Sequence, residues 1–252
     1  MTSHAPVIAP TLEAFQAARE NVAQIAIVTP VLHSNFLTEV TGTDVFLKAE
    51  NLQRTGAYKL RGAFNRISKL TADERARGVV AASAGNHAQG VALAASKLGI
   101  KATIFMPVGA SLPKVQATRG YGAEVVLVGA NFAEALKASQ EFAKETHAVF
   151  IAPFDSIDVV TGQGTVALEV FDQVPDVENI IVAIGGGGLA AGVAVAAKLE
   201  AARLGRKVKV YGVQSEHAAS YPPSLEAGHE VEIKTSPTIA DGIAVNKPGH
   251  IP

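Results

Sequence analysis

Short apolar runs alternate with longer amphipathic stretches along most of the chain. Six runs rich in β-branched residues predict strands at residues 45–48, 79–82, 102–105, 125–128, 180–184 and 208–213. Seven stretches with helical spacing of apolar residues predict helices at residues 11–25, 60–69, 86–98, 112–119, 132–146, 162–174 and 189–203. Strands that alternate with helices pair in parallel and are covered by them, so the pattern predicts an α/β fold with mostly parallel sheets.

The composition is that of a globular protein that binds small molecules. Of 252 residues, 48% are hydrophobic and 18% are charged, which suffices for one large core or two smaller ones. The net charge is -1 and the lysines and arginines are scattered, so no basic surface for nucleic acid or an anionic membrane is expected. We therefore expect a small-molecule partner.

The chain has no cysteine, which excludes disulfides and thiolate metal sites and fits an intracellular location. Residues 1–10 carry no basic segment followed by an apolar run, so no secretory signal is predicted. The apolar stretches are too short and too interrupted by glycine to span a bilayer. His87, Glu216 and His217 do not have metal-ligand spacing. We predict a cytoplasmic protein without a metal centre.

Lys59 stands at the start of a predicted helix. Thr55 and Gly56 open a turn before it, and Leu60 and Ala63 supply the apolar stripe of the helix that follows. A lysine is more often a solvated surface residue. At the N-terminal edge of this helix, however, we expect Lys59 to have a partly desolvated amine with a lowered pKa that can act as a nucleophile and base.

A polar loop lies between the strand that ends at Ala82 and the helix that begins near Asn86. The unpaired backbone N–H groups of such a helix start can bind an anion. Alternatively, Ser83 or Asn86 caps the helix in the ordinary way and His87 lies on the surface. Both interpretations remain open from the residues alone. Ser83 has no evident His and Asp partners, so a hydrolase triad is disfavoured.

A run of four glycines follows a predicted strand and precedes a small-residue helix. There the backbone can approach a phosphate group, and the helix dipole favours its negative charge. The run also satisfies the dinucleotide pattern G-x-G-x-x-A, which expects an acidic residue about twenty positions later. Gln214 ends the next strand and Glu216 comes too late. A phosphate site is therefore the better interpretation of Gly185, Gly186, Gly187 and Gly188.

These motifs together resemble the threonine and serine ammonia-lyases, or threonine dehydratases, among the tryptophan synthase β-like (fold type II) pyridoxal phosphate enzymes. The resemblance is carried by residues 29–31, 47–53, 83–90 and 238–242 and covers nearly everything after the first helix. It implies two three-layer α/β domains. The larger would comprise residues 1–52 and 153–252, and the smaller would be residues 53–152.

The resemblance also assigns roles to individual residues. Lys59 would carry pyridoxal 5'-phosphate through a Schiff base and would remove the substrate Cα proton, with Ser83 as the second catalytic residue. Asn86 would bind the ring hydroxyl. The cofactor phosphate would be bound by Gly185, Gly186, Gly187, Gly188 and Leu189, and the substrate carboxylate by Ser83, Ala84, Gly85, Asn86 and His87. The implied reaction converts L-threonine to 2-oxobutanoate and ammonia, and L-serine to pyruvate.

Several departures qualify the resemblance. Ala57 replaces a serine of many relatives, which should cost little activity. Ala84 replaces the serine that related racemases use, so racemisation is not expected. Residues 214–220 lack the acidic ligands that bind a divalent cation in those racemases, so that metal is not expected either.

The resemblance also bears on the extent and assembly of the protein. Relatives continue past the position of Pro252, so we expect the larger domain to lack its C-terminal part, including the residue that faces the pyridine nitrogen. The resemblance implies a homodimer. It also implies isoleucine biosynthesis as one role for such an enzyme. Two alternatives remain: a truncated, catalytically impaired homologue that binds the cofactor or an amino acid, and a nucleotide-dependent oxidoreductase.

Overall fold

The computed structural model describes residues 7–252. Residues 1–6 belong to the segment predicted to lack a secretory signal and to the predicted larger domain, and they lie outside the described residues. Over the described part of the chain, no helix combines the length and the apolar character needed to cross a membrane.

Helices and strands alternate through most of the described chain. The strands are β1 (Val31–His33), β2 (Phe46–Lys48), β3 (Val79–Ala82), β4 (Ala102–Met106), β5 (Glu124–Leu127), β6 (Val149–Phe150), β7 (Asn179–Ala183) and β8 (Lys209–Val213). The helices are α1 (Leu12–Val22), α2 (Asn35–Thr41), α3 (Lys59–Ile67), α4 (Ala72–Arg77), α5 (Asn86–Lys97), α6 (Leu112–Gly120), α7 (Phe132–Thr146), α8 (Ile157–Gln173), α9 (Gly188–Arg203) and α10 (Tyr221–Ala227). Short 3₁₀ turns span Glu50–Leu52, Glu216–Ala218 and Asp241–Ile243.

Four parallel strands form the central sheet, in the order β5-β4-β3-β6. Alternate residues of β3 point to opposite faces. Val79 and Ala81 join an apolar cluster with α3 and α5, whereas Val80 and Ala82 join a second cluster with residues of α7. Because both faces are covered by helices, every residue of β3 is buried, and this unit has three layers.

Two smaller sheets lie beside the central one. β1 and β2 pair antiparallel, and β7 and β8 pair parallel. Ile180 and Val210 pack into a cluster formed mainly by α8 and α9. On the opposite face of this sheet Ile181 is 74% exposed, and Tyr211 and Val213 are exposed as well. The predicted α/β fold with mostly parallel sheets is confirmed, while the domain boundaries at residues 53 and 152 stay predictions.

Most predicted elements occur where the sequence placed them, with α7 matching at both ends. The helix predicted at 162–174 begins earlier, at Ile157. Its two glycines, which disfavour a helix, lie where other helices of the chain pack closely. A Cβ on Gly162 would be 2.7 Å from the Arg61 carbonyl oxygen, and one on Gly164 would collide with Phe15. Close helix packing therefore overrides low helix propensity here. The unpredicted elements are all short: β1, β6, α2, α4 and α10.

Candidate active site

Three loops that follow parallel strands lead directly into helices, and two of them, with the helix starts that follow, carry residues singled out from the sequence. Residues 83–85 join β3 to α5, residues 151–156 join β6 to α8, and residues 184–187 join β7 to α9. Parallel α/β proteins bind ligands in the crevice outside the carboxyl ends of their strands. The candidate site therefore comprises these loops, the helix starts that follow them and Lys59.

Lys59 is the first residue of α3, and its amine lies among aromatic rings. The Nζ atom donates a hydrogen bond to the Pro153 carbonyl oxygen at 2.9 Å. It is 5.4 Å from the centroid of the Tyr58 ring and 5.9 Å from that of the Phe154 ring. Burial of the amine lowers the pKa of Lys59 from 10.5 to about 8. The predicted desolvation is therefore confirmed, and a useful fraction of this amine is neutral near physiological pH.

The loop after β3 leaves a helix start without a side-chain cap. Ser83 extends the β3 ladder, since its backbone N–H donates to the Phe105 carbonyl at 3.1 Å. The Ser83 hydroxyl accepts the Gly85 N–H at 3.1 Å, and Gly85 itself is the N-cap of α5. The alternative in which Ser83 or Asn86 caps this helix is wrong. The first backbone N–H groups of α5 can therefore serve an anion, with Ala84 half-buried and Asn86 exposed beside them.

His87 is buried, so the alternative that placed it on the surface is also wrong. Its Nε2 atom is 2.9 Å from the Ile151 carbonyl oxygen, and because a carbonyl only accepts, Nε2 carries the hydrogen. Burial, and secondarily the charge of Lys59, lower the pKa of His87 to about 3. The imidazole is neutral and its Nε2 is engaged with Ile151, so the backbone is the part of His87 best placed to serve an anion.

The glycine run forms a second helix start without a side-chain cap. Gly187 is the N-cap of α9 and has a left-handed backbone with φ of 104°. A Cβ on Gly188 would lie 3.0 Å from Phe154, one on Gly186 would overlap the Phe154 ring, and one on Gly187 would overlap the Tyr221 hydroxyl. Only glycine fits these positions. The backbone donors at the start of α9 can therefore approach an anion closely.

The two ends of the glycine run differ in their surroundings. Gly185 is half-buried, and a Cβ there would lie 3.2 Å from the Ile243 backbone, just after the segment 238–242. Leu189 directs its side chain into the apolar cluster of α8 and α9. Leu189 therefore contributes backbone rather than side chain to this loop.

Residues 151–155 connect these parts, and the sequence gave no reason to single them out. Pro153 accepts from the Lys59 amine, Ile151 accepts from His87, and Phe154 touches both the lysine and the glycine run. Because Phe154 touches both, the amine and the glycine run face the same small region. The available signal was a Pro-Phe-Asp sequence after the apolar segment 148–151, which marks a strand end.

Fold and loops together define a parallel α/β protein that holds a desolvated lysine amine beside a glycine-rich helix start. The family model described as pyridoxal-phosphate dependent enzyme matches residues 22–251. The chain belongs to this family, which confirms the resemblance and its cofactor.

The relatives with similar sequences include ammonia-lyases. The chain is 49% identical over 241 residues to the L-threonine ammonia-lyase of Thermotoga maritima, a match that covers 96% of this chain and 59% of that protein. It is 48% identical to the L-threonine ammonia-lyase of Geobacter sulfurreducens, over 88% of this chain and 54% of that protein. The chain thus spans less than two thirds of the length of these two relatives.

Solved structures of the same family share the fold. Processed threonine deaminase isoform 2 from Solanum lycopersicum matches with a TM-score of 0.89 and 37% identity, over 99% of this chain and 71% of that one. Maize serine racemase matches with a TM-score of 0.90 and 36% identity, over 97% of this chain and 73% of that one.

The residues of the three loops fit pyridoxal phosphate. Lys59 supplies an amine that is partly neutral near physiological pH, and the start of α9 supplies backbone donors that no side chain caps. Glycine at positions 186 and 188 keeps side chains off this backbone, and Phe154 packs where a Cβ would lie. The start of α5 supplies a second group of donors for a substrate carboxylate. Which residues contact the cofactor and which contact the substrate stays a prediction.

Proposed function

We propose that this chain provides the active site of a pyridoxal-phosphate-dependent lyase that deaminates L-threonine to 2-oxobutanoate and ammonia, with L-serine as a second substrate that yields pyruvate. One observation carries the proposal: the Lys59 amine, with a pKa lowered to about 8, lies beside the Phe154 ring that packs on the glycine run. The names of the similar relatives support the choice of substrate.

Lys59 serves first as a nucleophile and then as a base. A neutral amine is required for both roles, and a pKa near the operating pH suits a group that must take up and release a proton. The Tyr58 and Phe154 rings limit the access of water to this amine. When bound, pyridoxal phosphate supplies the aldehyde that captures the substrate amine and the ring that accepts the electron pair of the Cα–H bond.

The two uncapped helix starts bind the two anionic groups. The backbone donors at the start of α9 bind the cofactor phosphate, and those at the start of α5 bind the substrate carboxylate. Asn86, which is exposed at the first position of α5, is available for the ring hydroxyl. The Ser83 hydroxyl accepts the Gly85 N–H, so its own hydrogen can be donated to bound substrate.

The wider role follows from the relatives and from the site. Escherichia coli has a relative named catabolic L-threonine dehydratase that is 44% identical over 93% of this chain, which favours a degradative over a biosynthetic role. Ala84 offers no hydroxyl for a second proton transfer, so racemisation is not part of the proposal. A cytoplasmic homodimer is the expected form of the protein.

Reductive trapping of the cofactor tests the proposal. The purified protein, mixed with pyridoxal phosphate, should absorb in the visible region, and borohydride reduction should fix the cofactor on Lys59 in a peptide map. Lys59→Ala should lose the absorbance, whereas Lys69→Ala should keep it, because Lys69 lies beyond the other end of α3 and is half-exposed. Addition of L-threonine should release 2-oxobutanoate and ammonia.

The same assay separates the alternatives. Trapping at Lys59 without release of ammonia would select the hypothesis of a homologue that binds the cofactor without turnover. Protection from heat unfolding by NAD, and none by pyridoxal phosphate, would favour the nucleotide-dependent oxidoreductase. A protein that is neither coloured nor trapped after cofactor addition would contradict the proposed function.

A further inference from the structure

Arg61 lies in the first turn of α3, two residues after Lys59, and is completely enclosed. Its side chain is only 1% exposed, although arginine is among the residues that are seldom buried unless they are paired. Its Nε and Nη2 atoms donate to the two oxygens of Glu50, at 2.9 and 2.8 Å. Its Nη1 and Nη2 atoms donate to the two oxygens of Glu169, at 2.6 and 2.9 Å. Arg61 thus binds two carboxylates at once, each in a bidentate manner.

The charges around Arg61 are balanced. Lys48, at the end of β2, donates to Glu169 at 2.6 Å and to the Thr29 carbonyl at 2.8 Å, so two cations face two carboxylates. Burial alone would lower the pKa of Arg61, but its hydrogen bonds to Glu50 and Glu169 outweigh that effect and raise the pKa. Arg61 therefore stays charged and keeps its planar fork at every accessible pH.

Such a network is a weak source of stability. Two buried ion pairs must first lose their hydration, and well-packed apolar side chains of similar volume often do as well or better. What the network does provide is geometry, because a guanidinium with two bidentate partners fixes both its position and its orientation.

The first turn of α3 is held from several sides: Leu60 is fully buried, and the Gly62 backbone N–H donates to the Gln163 side chain of α8 at 3.2 Å. Its N-terminal end, however, lacks a side-chain cap. Tyr58 is the N-cap and makes no capping hydrogen bond with its side chain. On one side, α5 approaches so closely that a Cβ on Gly90 would lie 3.1 Å from the Lys59 carbonyl carbon. On the other side, Arg61 ties the first turn back to Glu50 and across to Glu169 of α8. The segment that bears Lys59 is therefore held between Glu50, before the turn, and Arg61, after it.

We propose that Arg61 is a positioning residue for Lys59: by bridging Glu50 and Glu169 it fixes the first turn of α3 so that the Lys59 amine stays beside Pro153 and Phe154. The inference rests on the proposed function only in taking the Lys59 amine as the reactive group. Lysine at position 61 would keep the charge but offer a single point of contact, which cannot hold two carboxylates in a bidentate manner.

The test measures the Lys59 amine without the cofactor. The cofactor-free protein is methylated with formaldehyde and cyanoborohydride over a range of pH, and the modification of Lys59 is quantified by peptide mass spectrometry. In the unsubstituted protein the midpoint should lie near the value of about 8 that burial gives this amine. In Arg61→Lys we expect the first turn of α3 to loosen, so that water reaches the Lys59 amine. The midpoint of its modification should then move toward about 10.4, the ordinary pKa of lysine. Borohydride trapping of pyridoxal phosphate at neutral pH should fall at least about tenfold, as expected when a reacting group is displaced by about 1 Å.

Arg66→Gln is the matched control. Arg66 lies at the other end of α3 and pairs with Asp158 of α8 at 3.6 Å, so its loss also weakens the contact between these two helices. It should leave the Lys59 midpoint unchanged. A role in stability alone predicts that both variants lower the unfolding temperature and that neither moves the midpoint.

Glu50→Gln decides the matter if Arg61→Lys does not fold. This change keeps Arg61 and the shape of its partner but removes one carboxylate charge, and it should raise the midpoint by a smaller amount. Folded Arg61→Lys or Glu50→Gln with a midpoint that stays near 8 would overturn the inference. An unsubstituted protein that shows the low midpoint but never captures pyridoxal phosphate would overturn the proposed function and not this inference.

Discussion

Lys59 and His87 donate hydrogen bonds to two carbonyl groups of one loop, at Pro153 and Ile151, and both bonds are 2.9 Å long. Each side chain comes from a different helix, and each is buried in a way that disfavours its charged form. The charge of Lys59 is a second reason for the low pKa of His87. The pair therefore retains at most one positive charge in the physiological range, and that charge sits on the lysine.

The buried His87 should make the protein sensitive to acid. The unfolded chain binds a proton at this residue below its ordinary pKa of 6.5, whereas the folded protein does so only near pH 3. Stability contributed by the neutral ring is complete above pH 6.5 and is lost as the pH falls toward 3, by up to about 1.4 kcal/mol per pH unit. The free energy of unfolding, measured with urea at a series of pH values, should therefore fall less steeply below pH 6.5 in His87→Gln than in the unsubstituted protein. An equally steep fall below pH 6.5 in the two proteins would contradict the prediction.

Removal of the Lys59 amine should stabilise the cofactor-free protein. The folded state disfavours the charged amine, so this penalty is complete below pH 8 and disappears as the pH rises through 10.5, the unfolded value. Lys59→Met keeps the length of the side chain and should raise the free energy of unfolding at pH 7 by about 1 to 3 kcal/mol. The gain should shrink when denaturant unfolding is repeated near pH 10. A gain that is independent of pH would show that the charge is not its cause.

The glycine run should not tolerate a methyl group. A Cβ at Gly188 would lie 3.0 Å from the Cα, Cβ and carbonyl oxygen of Phe154, so the backbone itself would have to move. Gly188→Ala should cost about 1 to 3 kcal/mol in thermal unfolding and should weaken capture of pyridoxal phosphate. Gly120→Ala is the control, because a Cβ at the end of α6 meets nothing within 4 Å. It should be neutral or stabilising by about 0.5 to 1 kcal/mol. Equal effects of the two substitutions would be evidence against a close approach at Gly188.

The uncovered face of β7 and β8 should promote association. Ile181 is 74% exposed there, and its neighbour Val182, on the other face of the same strand, is 8% exposed. Ile181→Lys should reduce light scattering at high protein concentration and change the free energy of unfolding by less than about 0.5 kcal/mol. Val182→Lys would bury a charge and should unfold the protein or cost more than about 3 kcal/mol. Scattering that is unchanged by Ile181→Lys would mean that this face does not mediate association.

The long elements were predictable because their signals are local. β3 shows the continuous apolar run of a strand buried on both faces, and α7 has an Asn131 cap at its start. β6 has two residues and β1 has three, which is too short for any periodicity. The start of α8 was predicted too late because the missed residues 157–161, Ile-Asp-Val-Val-Thr, are mostly β-branched and have low helix propensity. The glycines at positions 162 and 164 are explained only by the packing of α3 and α1 against them. Such packing is a long-range fact that a local pattern does not carry.

The site was predictable to the extent that its motifs are contiguous. Residue type and position next to a strand or helix are enough to recognise Lys59, the loop at Ser83 and the glycine run. Phe154 and Arg61 are not recognisable in this way, since their roles depend on partners that are distant in sequence: Arg61 and Glu169 are 108 positions apart. An arginine beside an active lysine looks like a surface residue until the carboxylates that enclose it are located.

The loop of residues 151–155 follows the last strand of the central sheet and leads into α8. Pro153 accepts the hydrogen bond of the amine and Phe154 packs on the glycine run, so a rotation of the central sheet relative to α8 and α9 would shift both contacts together. Opening at one place without disturbance at the other would require the loop to deform. Access of a ligand to the lysine and the shape of the glycine run are thus coupled through two consecutive residues, Pro153 and Phe154.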